Sequence, residues 1–159
     1  MIEYKLNIGD IAVCDNQNVT ITCVGLGSCI GVFLQDRTIG LCGGAHIQLP
    51  GDVNMPIHDD KYYSVKSALD ELINQFKIRG SSTQTLRAKI TGGASVVRSD
   101  NSFQTGKKNA ERITNELVLR NIFIAASDMG GHLSRTARFN CQSGELNVRH
   151  PETNQTKTY

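Results

Sequence analysis

Apolar and polar positions along this chain change rhythm several times, and each rhythm predicts an element. The N-terminal part reads as short β-branched or apolar runs: Asp10 to Cys14, Val19 to Val24, Ile30 to Gln35 and Ile39 to Cys42. Polar turns separate them, at Asp15-Asn16-Gln17-Asn18 and Asp36-Arg37-Thr38, as expected of successive strands. From Tyr62 to Arg79 the period lengthens. Val65, Ala68, Leu69, Leu72, Ile73 and Phe76 recur at helical spacing, and Gly80 is a natural stop. Leu86 to Thr91 is again a strand, running into Gly92-Gly93. A second helix is predicted over Lys107 to Arg120, with Ala110, Ile113 and Leu117 on one face and Glu116 and Arg120 an i,i+4 pair. Ile122 to Ser127 is an apolar strand, and Arg138 to Cys141 with Glu145 to Arg149 reads as a closing hairpin around Ser143-Gly144.

This order gives about seven strands and two helices in one α/β domain. Strands crowd both ends, so the expected architecture is a layered α/β sandwich. It has mixed β-sheet layers with the two helices packed on one side, rather than a doubly wound parallel sheet. The domain is expected over residues 1–150, with 151–159 a loose polar tail.

Composition narrows the function classes. With 159 residues, 39% apolar and 20% charged, the chain suits one soluble domain with a sizeable core. A net charge of +2 is too small to argue for nucleic acid or an anionic membrane surface. Absent tryptophan and 6% aromatics speak against a base-stacking platform. No apolar run approaches the roughly 18 residues of a membrane span, and the N-terminus lacks a secretory pattern. A cytoplasmic location is expected. The five cysteines, Cys14, Cys23, Cys29, Cys42 and Cys141, contain no C-x-x-C pair, and in a reducing compartment all are expected as free thiols.

Chemistry concentrates at glycine-rich spots. Gly25-Leu26-Gly27-Ser28-Cys29 follows a strand and ends in a thiol, and Gly43-Gly44-Ala45-His46 places a histidine at the end of a neighbouring strand. Glycines at a strand end allow a tight turn that aims backbone N–H groups at one point. An imidazole beside a thiol can take its proton and make it nucleophilic. The third spot, Gly92-Gly93-Ala94-Ser95, lacks a phosphate-loop pattern and is expected to line the site or pack closely. Cys42, His46 and His58 are too scattered for a zinc set. No metal and no cofactor are expected. His132 and His150 read as surface residues, and Lys107-Lys108 as a solvated helix start.

The order and content of these motifs resemble the chemoreceptor glutamine deamidases, the CheD family. Gly25-Leu26-Gly27-Ser28-Cys29-Ile30 and Gly43-Gly44-Ala45-His46 through Leu49-Pro50 look like that family's active-site signature. Ala88-Lys89-Ile90-Thr91-Gly92-Gly93-Ala94, Gly106-Lys107-Lys108-Asn109 and Asp128-Met129-Gly130-Gly131 with Arg135 follow in order. The resemblance runs from about Gly9 to Arg149. It implies a protein-glutamine glutaminase, a cysteine-dependent amidohydrolase with Cys29 as nucleophile and His46 as general base and acid. Gly27 and Ser28 would support the oxyanion. The implied substrates are glutamines on the helical cytoplasmic part of methyl-accepting chemotaxis receptors, with a CheC-type phosphatase as a further partner. The loop from Gly51 to Asp60 is the expected recognition surface.

One position departs from the family pattern. The family has a threonine six positions before the nucleophile, where this chain has Cys23; Thr22, next to it, should face the other way. A thiol is the weaker hydrogen-bond partner, so either catalysis is slower or another group holds His46. Two other functions fit the same residues: a non-catalytic adaptor that binds receptors or the phosphatase, and a cysteine hydrolase or transglutaminase acting on other proteins' glutamines.

Overall fold

The computed structural model describes residues 1–51, 61–96 and 100–159, with backbone only for 100–103. The expected recognition loop beyond Gly51, and His58 within it, therefore lie outside the described residues. Ten strands and two helices are described: β1 (Ile2–Lys5), β2 (Ile11–Cys14), β3 (Val19–Leu26), β4 (Ile30–Asp36), β5 (Leu41–Ile47), α1 (Val65–Ile78), β6 (Leu86–Gly92), α2 (Asp100–Leu119), β7 (Phe123–Met129), β8 (Arg135–Asn140), β9 (Leu146–His150) and β10 (Gln155–Thr158). They form two five-stranded sheets, β1-β3-β8-β9-β10 and β2-β5-β4-β6-β7. Each mixes parallel and antiparallel neighbours.

The layering follows from strand alternation. On β4, Ile30, Val32 and Leu34 face a core shared with Leu69, Leu72 and Phe76 of α1 and Ile113 and Leu117 of α2. Phe33, between them, faces the other sheet and stacks on Phe139 of β8 with ring centroids 5.5 Å apart. Both helices thus cover one face of the second sheet, and the first sheet covers its other face. This is the layered sandwich expected from the sequence. Burying side chains such as Leu72 or Phe76 stabilises by about 1.5–3 kcal/mol each. Helix α1 starts where Ser64 caps it, its hydroxyl accepting the Ser67 N–H at 3.3 Å.

Four expectations are corrected. Gly43 and Gly44 do not end a strand but lie inside β5, because both faces are crowded. A Cβ on Gly43 would stand 2.9 Å from the Phe76 ring, and one on Gly44 would stand 3.0 Å from Phe33. Helix α2 begins seven residues earlier than the apolar pattern predicts. Gly106, inside that helix, is a close-packing residue, since a Cβ would meet the Ala94 carbonyl at 2.5 Å. The polar tail is not loose. Gln155–Thr158 pairs with β9, and Tyr159 closes the ladder by exchanging two main-chain hydrogen bonds with Leu146. Its hydroxyl donates to Asp128 at 2.6 Å, which pushes the tyrosine pKa up to about 12.

The fourth correction concerns the thiols. Cys42 and Cys141 form a disulfide across 99 residues of sequence, leaving Cys14, Cys23 and Cys29 free. Spacing could not reveal this pair, because it joins β5 to the end of β8 only through the stacking of the two sheets.

Candidate active site

Cys29 closes the turn between β3 and β4, where the chain passes from one sheet to the other. Gly25 takes φ +70° and the β3–β8 register shifts between Cys23 and Leu26, a bulge that re-aims the strand end. All three carbonyls of Gly27-Ser28-Cys29 are tied down. Ala94 N–H donates to Gly27 O at 2.8 Å and Gly93 N–H to Cys29 O at 2.9 Å. The Asn109 side-chain amide donates to Ser28 O at 2.8 Å. With the carbonyls fixed, the Ser28 and Cys29 N–H groups of the turn find no acceptor among the described residues. This is how a backbone anion hole is prepared.

His46 sits on the face of β5 that looks toward the first sheet, opposite Gly31 of β4. Cys29 lies two residues before Gly31 and so shares that face. Gly31, opposite His46, has no side chain to fill the space on the face that carries the thiol and the imidazole. They are not hydrogen-bonded to each other in this resting arrangement. His46 Nδ1 instead lies 2.9 Å from the Leu6 carbonyl. A carbonyl only accepts, so Nδ1 carries the proton and Nε2 keeps its lone pair. Nε2 is buried without a partner among the described residues. Main-chain bonds hold the same residue twice more, from Gly9 N–H to His46 O and from His46 N–H to Asp10 O.

The electrostatics set both groups neutral at rest. Burial is the largest effect on His46 and lowers its pKa, against smaller upward contributions from the Leu6 carbonyl and Asp10. Burial raises the Cys29 thiol. The resting pair is a thiol and an imidazole rather than a thiolate and an imidazolium.

Cys23 is buried between the sheets near Cys29, and burial followed by the Cys29 charge raises its thiol strongly. Thr22 points to the opposite face, as strand alternation predicts, and its hydroxyl donates to Glu3 at 2.9 Å. Neither residue orients the imidazole. The Leu6 carbonyl does, and a backbone group carries no side-chain signal by which sequence reading could have found it. His58 lies outside the described residues, and Cys42 is occupied by its disulfide. His132 Nδ1 lies 3.1 Å from the Ser95 carbonyl and His150 Nδ1 lies 3.0 Å from that of Ser134.

Asn109 is the second residue without an assigned role in the sequence reading. Fully buried on α2, it uses both amide hydrogens, on Ser28 O at 2.8 Å and on Gln48 O at 3.0 Å. It therefore ties the cysteine turn to the segment just past His46. We expect Asn109→Ala to lower unfolding stability by about 2 kcal/mol, the usual penalty for leaving buried carbonyls unpaired. Urea unfolding would measure this, and a loss under about 0.5 kcal/mol would refute the clamp.

Beside His46, a groove of about 480 Å³ is lined by Lys5, Leu6, Asn7, Ile8, Val24 and Gly25; Cys29 is not part of its wall. Cys29 is only 8% exposed and His46 3%, so a reacting group must arrive on a slender side chain.

Comparisons with known proteins agree on the family. A family model described as CheD chemotactic sensory transduction matches residues 48–150. That span begins past His46 and leaves out both members of the pair. A Methanosarcina acetivorans protein named "Probable chemoreceptor glutamine deamidase CheD 2" is 35% identical over 93% of this chain and 66% of its own length. "Probable chemoreceptor glutamine deamidase CheD 1" of Methanosarcina mazei is 33% identical over 93% of this chain and 65% of its own. The chain thus spans slightly under two thirds of these two relatives. The Thermotoga maritima protein named "Chemoreceptor glutamine deamidase CheD" is 33% identical over 91% of this chain and 89% of its own length. A solved structure, the Bacillus licheniformis hypothetical protein YfiH, is similar over 75% of this chain and 50% of that one, with a TM-score of 0.46 and 14% identity. Matched by the family model over most of its length and by these relatives over more than nine-tenths, the chain belongs to the CheD family.

Proposed function

We propose that this protein deamidates glutamine side chains of chemotaxis receptors to glutamate, with Cys29 as nucleophile and His46 as base and then acid. The observation that carries the reading is the buried lone pair on His46 Nε2. Its tautomer is fixed by the Leu6 carbonyl, and it faces the same strip as a buried thiol at the mouth of a backbone turn. The names of the relatives supply the substrate class.

A glutamine side chain entering the groove brings its carboxamide carbon to the Cys29 sulfur. His46 Nε2 takes the thiol proton as the C–S bond forms, and the carbonyl oxygen becomes an anion beside the Ser28 and Cys29 N–H groups. One such donor is worth about 3 kcal/mol of barrier. Collapse expels the amide nitrogen, which leaves as ammonia with the proton from His46. A water molecule, deprotonated by the same Nε2, then attacks the γ-glutamyl thioester and yields glutamate and the free thiol. Every proton moves through one nitrogen, and the Leu6 carbonyl steadies the imidazolium when it forms. A CheC-type phosphatase, the family's other partner, would reach the same groove and compete with receptor.

The test is mass spectrometry of a receptor cytoplasmic fragment incubated with the protein or with Cys29→Ala. Each deamidation adds about one mass unit, and peptide mapping locates it. Wild-type conversion of particular glutamines, absent in Cys29→Ala, is the expected result. Conversion by both would refute the nucleophile assignment. Conversion by neither, with binding retained, would make the protein a docking adaptor instead.

A further inference from the structure

The peptide that orients His46 is itself held in place. Leu6 O, which accepts from His46 Nδ1, and the Asn7 N–H belong to one planar amide and point to opposite sides of it. That N–H donates to Asp10 Oδ2 at 2.9 Å. Carboxylate, amide and imidazole therefore form one unbroken line of hydrogen bonds, from Asp10 Oδ2 through the Leu6–Asn7 peptide to His46 Nδ1. The turn that closes this line is fixed at several points. Asp10 N–H donates to Asn7 O at 2.9 Å, Leu6 N–H to Thr22 O at 2.8 Å, and Tyr62 N–H to Gly9 O at 2.8 Å. Gly9 takes φ +88°, and a Cβ there would stand 2.9 Å from the Tyr63 ring. The second carboxylate oxygen, Asp10 Oδ1, is paired with Lys61 Nζ. The Asp10 side chain is only 26% exposed, so its field is incompletely screened.

We propose, resting on the deamidase reading of His46, that Asp10 is a positioning residue for the base and acts on it through the Leu6–Asn7 peptide. A carboxylate accepting from the amide N–H leaves more negative charge on the amide oxygen, and that oxygen is the one facing the imidazole N–H. The effect is small while His46 is neutral. It grows once Nε2 has taken the thiol proton, because the line then ends on a positive ring. No proton travels along it: the Nδ1 and amide hydrogens stay where they are. In a Ser-His-Asp triad the carboxylate touches the ring directly, whereas here a peptide stands between them.

Other ionisable groups surround the imidazole among the described residues. Lys5 lines the groove beside it, Cys23 and Cys29 lie in the layer between the sheets, Tyr63 packs on Gly9, and Lys61 stands beyond Asp10. Asp10 is the one whose charge raises the His46 pKa, in the same sense as the Leu6 carbonyl and against the larger effect of burial.

Asp10→Asn separates charge from shape, since its amide oxygen can still accept from the Asn7 N–H. The first measurement is an NMR titration of the His46 ring in the full chain carrying Cys29→Ala, its signal identified by loss in His46→Gln. We expect a lower midpoint with Asp10→Asn than without it, and an unchanged or higher midpoint overturns the proposal. This needs no turnover, so it decides the coupling even if wild type deamidates no receptor glutamine and the deamidase reading fails. The second measurement is deamidation of a receptor cytoplasmic fragment across pH. Asp10→Asn should lower kcat at least about tenfold at pH 8, with KM unchanged, while the acid limb moves to lower pH. A loosened turn would lower the rate at every pH and leave the limb in place. That outcome, or a wild-type kcat, overturns the proposal. Should Asp10→Asn fail to fold, Lys61→Met decides instead. It keeps Asp10 and its bond to Asn7 but removes the opposing positive charge, so the His46 midpoint should rise, and a midpoint that does not rise overturns the proposal.

Discussion

Gly92→Ala is expected to destabilise the protein by more than about 4 kcal/mol and to lower deamidation at least about a hundredfold. Gly92 ends β6 at φ +115°, a conformation side chains rarely adopt, and a Cβ there would stand 2.1 Å from the Cys29 carbonyl oxygen. That contact cannot be relieved by rotating a side chain, because both sides of it are backbone. Gly92 is paired with Ile30 on one flank and Met129 on the other, and its own carbonyl accepts from Gly130 N–H at 2.9 Å. The peptide most able to move is that of Cys29, and its movement would pull its carbonyl off Gly93 N–H and turn the nucleophile. Gly25→Ala is the control. Gly25 also has positive φ, at +70°, but nothing lies within 4 Å of its Cβ position, so only the backbone strain of about 1 kcal/mol applies. Urea unfolding and a deamidation assay on both variants measure the contrast. A Gly92→Ala protein as stable as Gly25→Ala would remove the steric argument for this turn.

What the sequence disclosed and what it hid have physical explanations. Helix α1 was legible because six apolar residues at helical spacing all face one core, β4 because a buried strand is a nearly continuous apolar run, and β6 because Leu86, Ala88 and Ile90 alternate with Arg87 and Lys89. The strands that escaped, β1 and β10, are the two edges of one sheet and every residue in them is exposed. With neither face buried, they have no reason to alternate, and only main-chain pairing defines them. The glycines were legible as special but not as to why. Gly43, Gly44 and Gly106 answer to packing partners far away in sequence. In the site, the glycine-rich settings of Cys29 and His46 suggested thiol and imidazole chemistry, and the resemblance to the CheD signature is what implied their roles. The group that orients His46 is the Leu6 carbonyl, which any residue at that position would supply. Asn109 stood within a recognised motif, yet its task of joining Ser28 to Gln48 exists only once α2 packs over both turns.

His46→Ala should lower the rate by about a thousandfold at neutral pH, and the pH dependence should identify the reason. In the proposed mechanism the working form of His46 is the neutral imidazole. Its pKa is lowered by burial, the Leu6 carbonyl and Asp10 only partly offsetting this, so the midpoint of its protonation lies below the ordinary histidine value of about 6.5. The acid limb of the rate profile is expected to have its midpoint below that value rather than at or above it. Burial raises the Cys29 thiol, so the thiolate is scarce throughout this range and must be generated by Nε2 during attack. Without His46, solution base must remove that proton before attack. The residual rate of His46→Ala should therefore climb about tenfold per pH unit toward the thiol's own pKa. Alkylation of Cys29 by iodoacetamide should follow the same slope and be slow at pH 7. Rapid alkylation at pH 6, independent of pH, would reveal a thiolate already formed against an imidazolium. The neutral pair inferred from the burial of both groups would then be wrong, even if Cys29 and His46 remained the reacting residues.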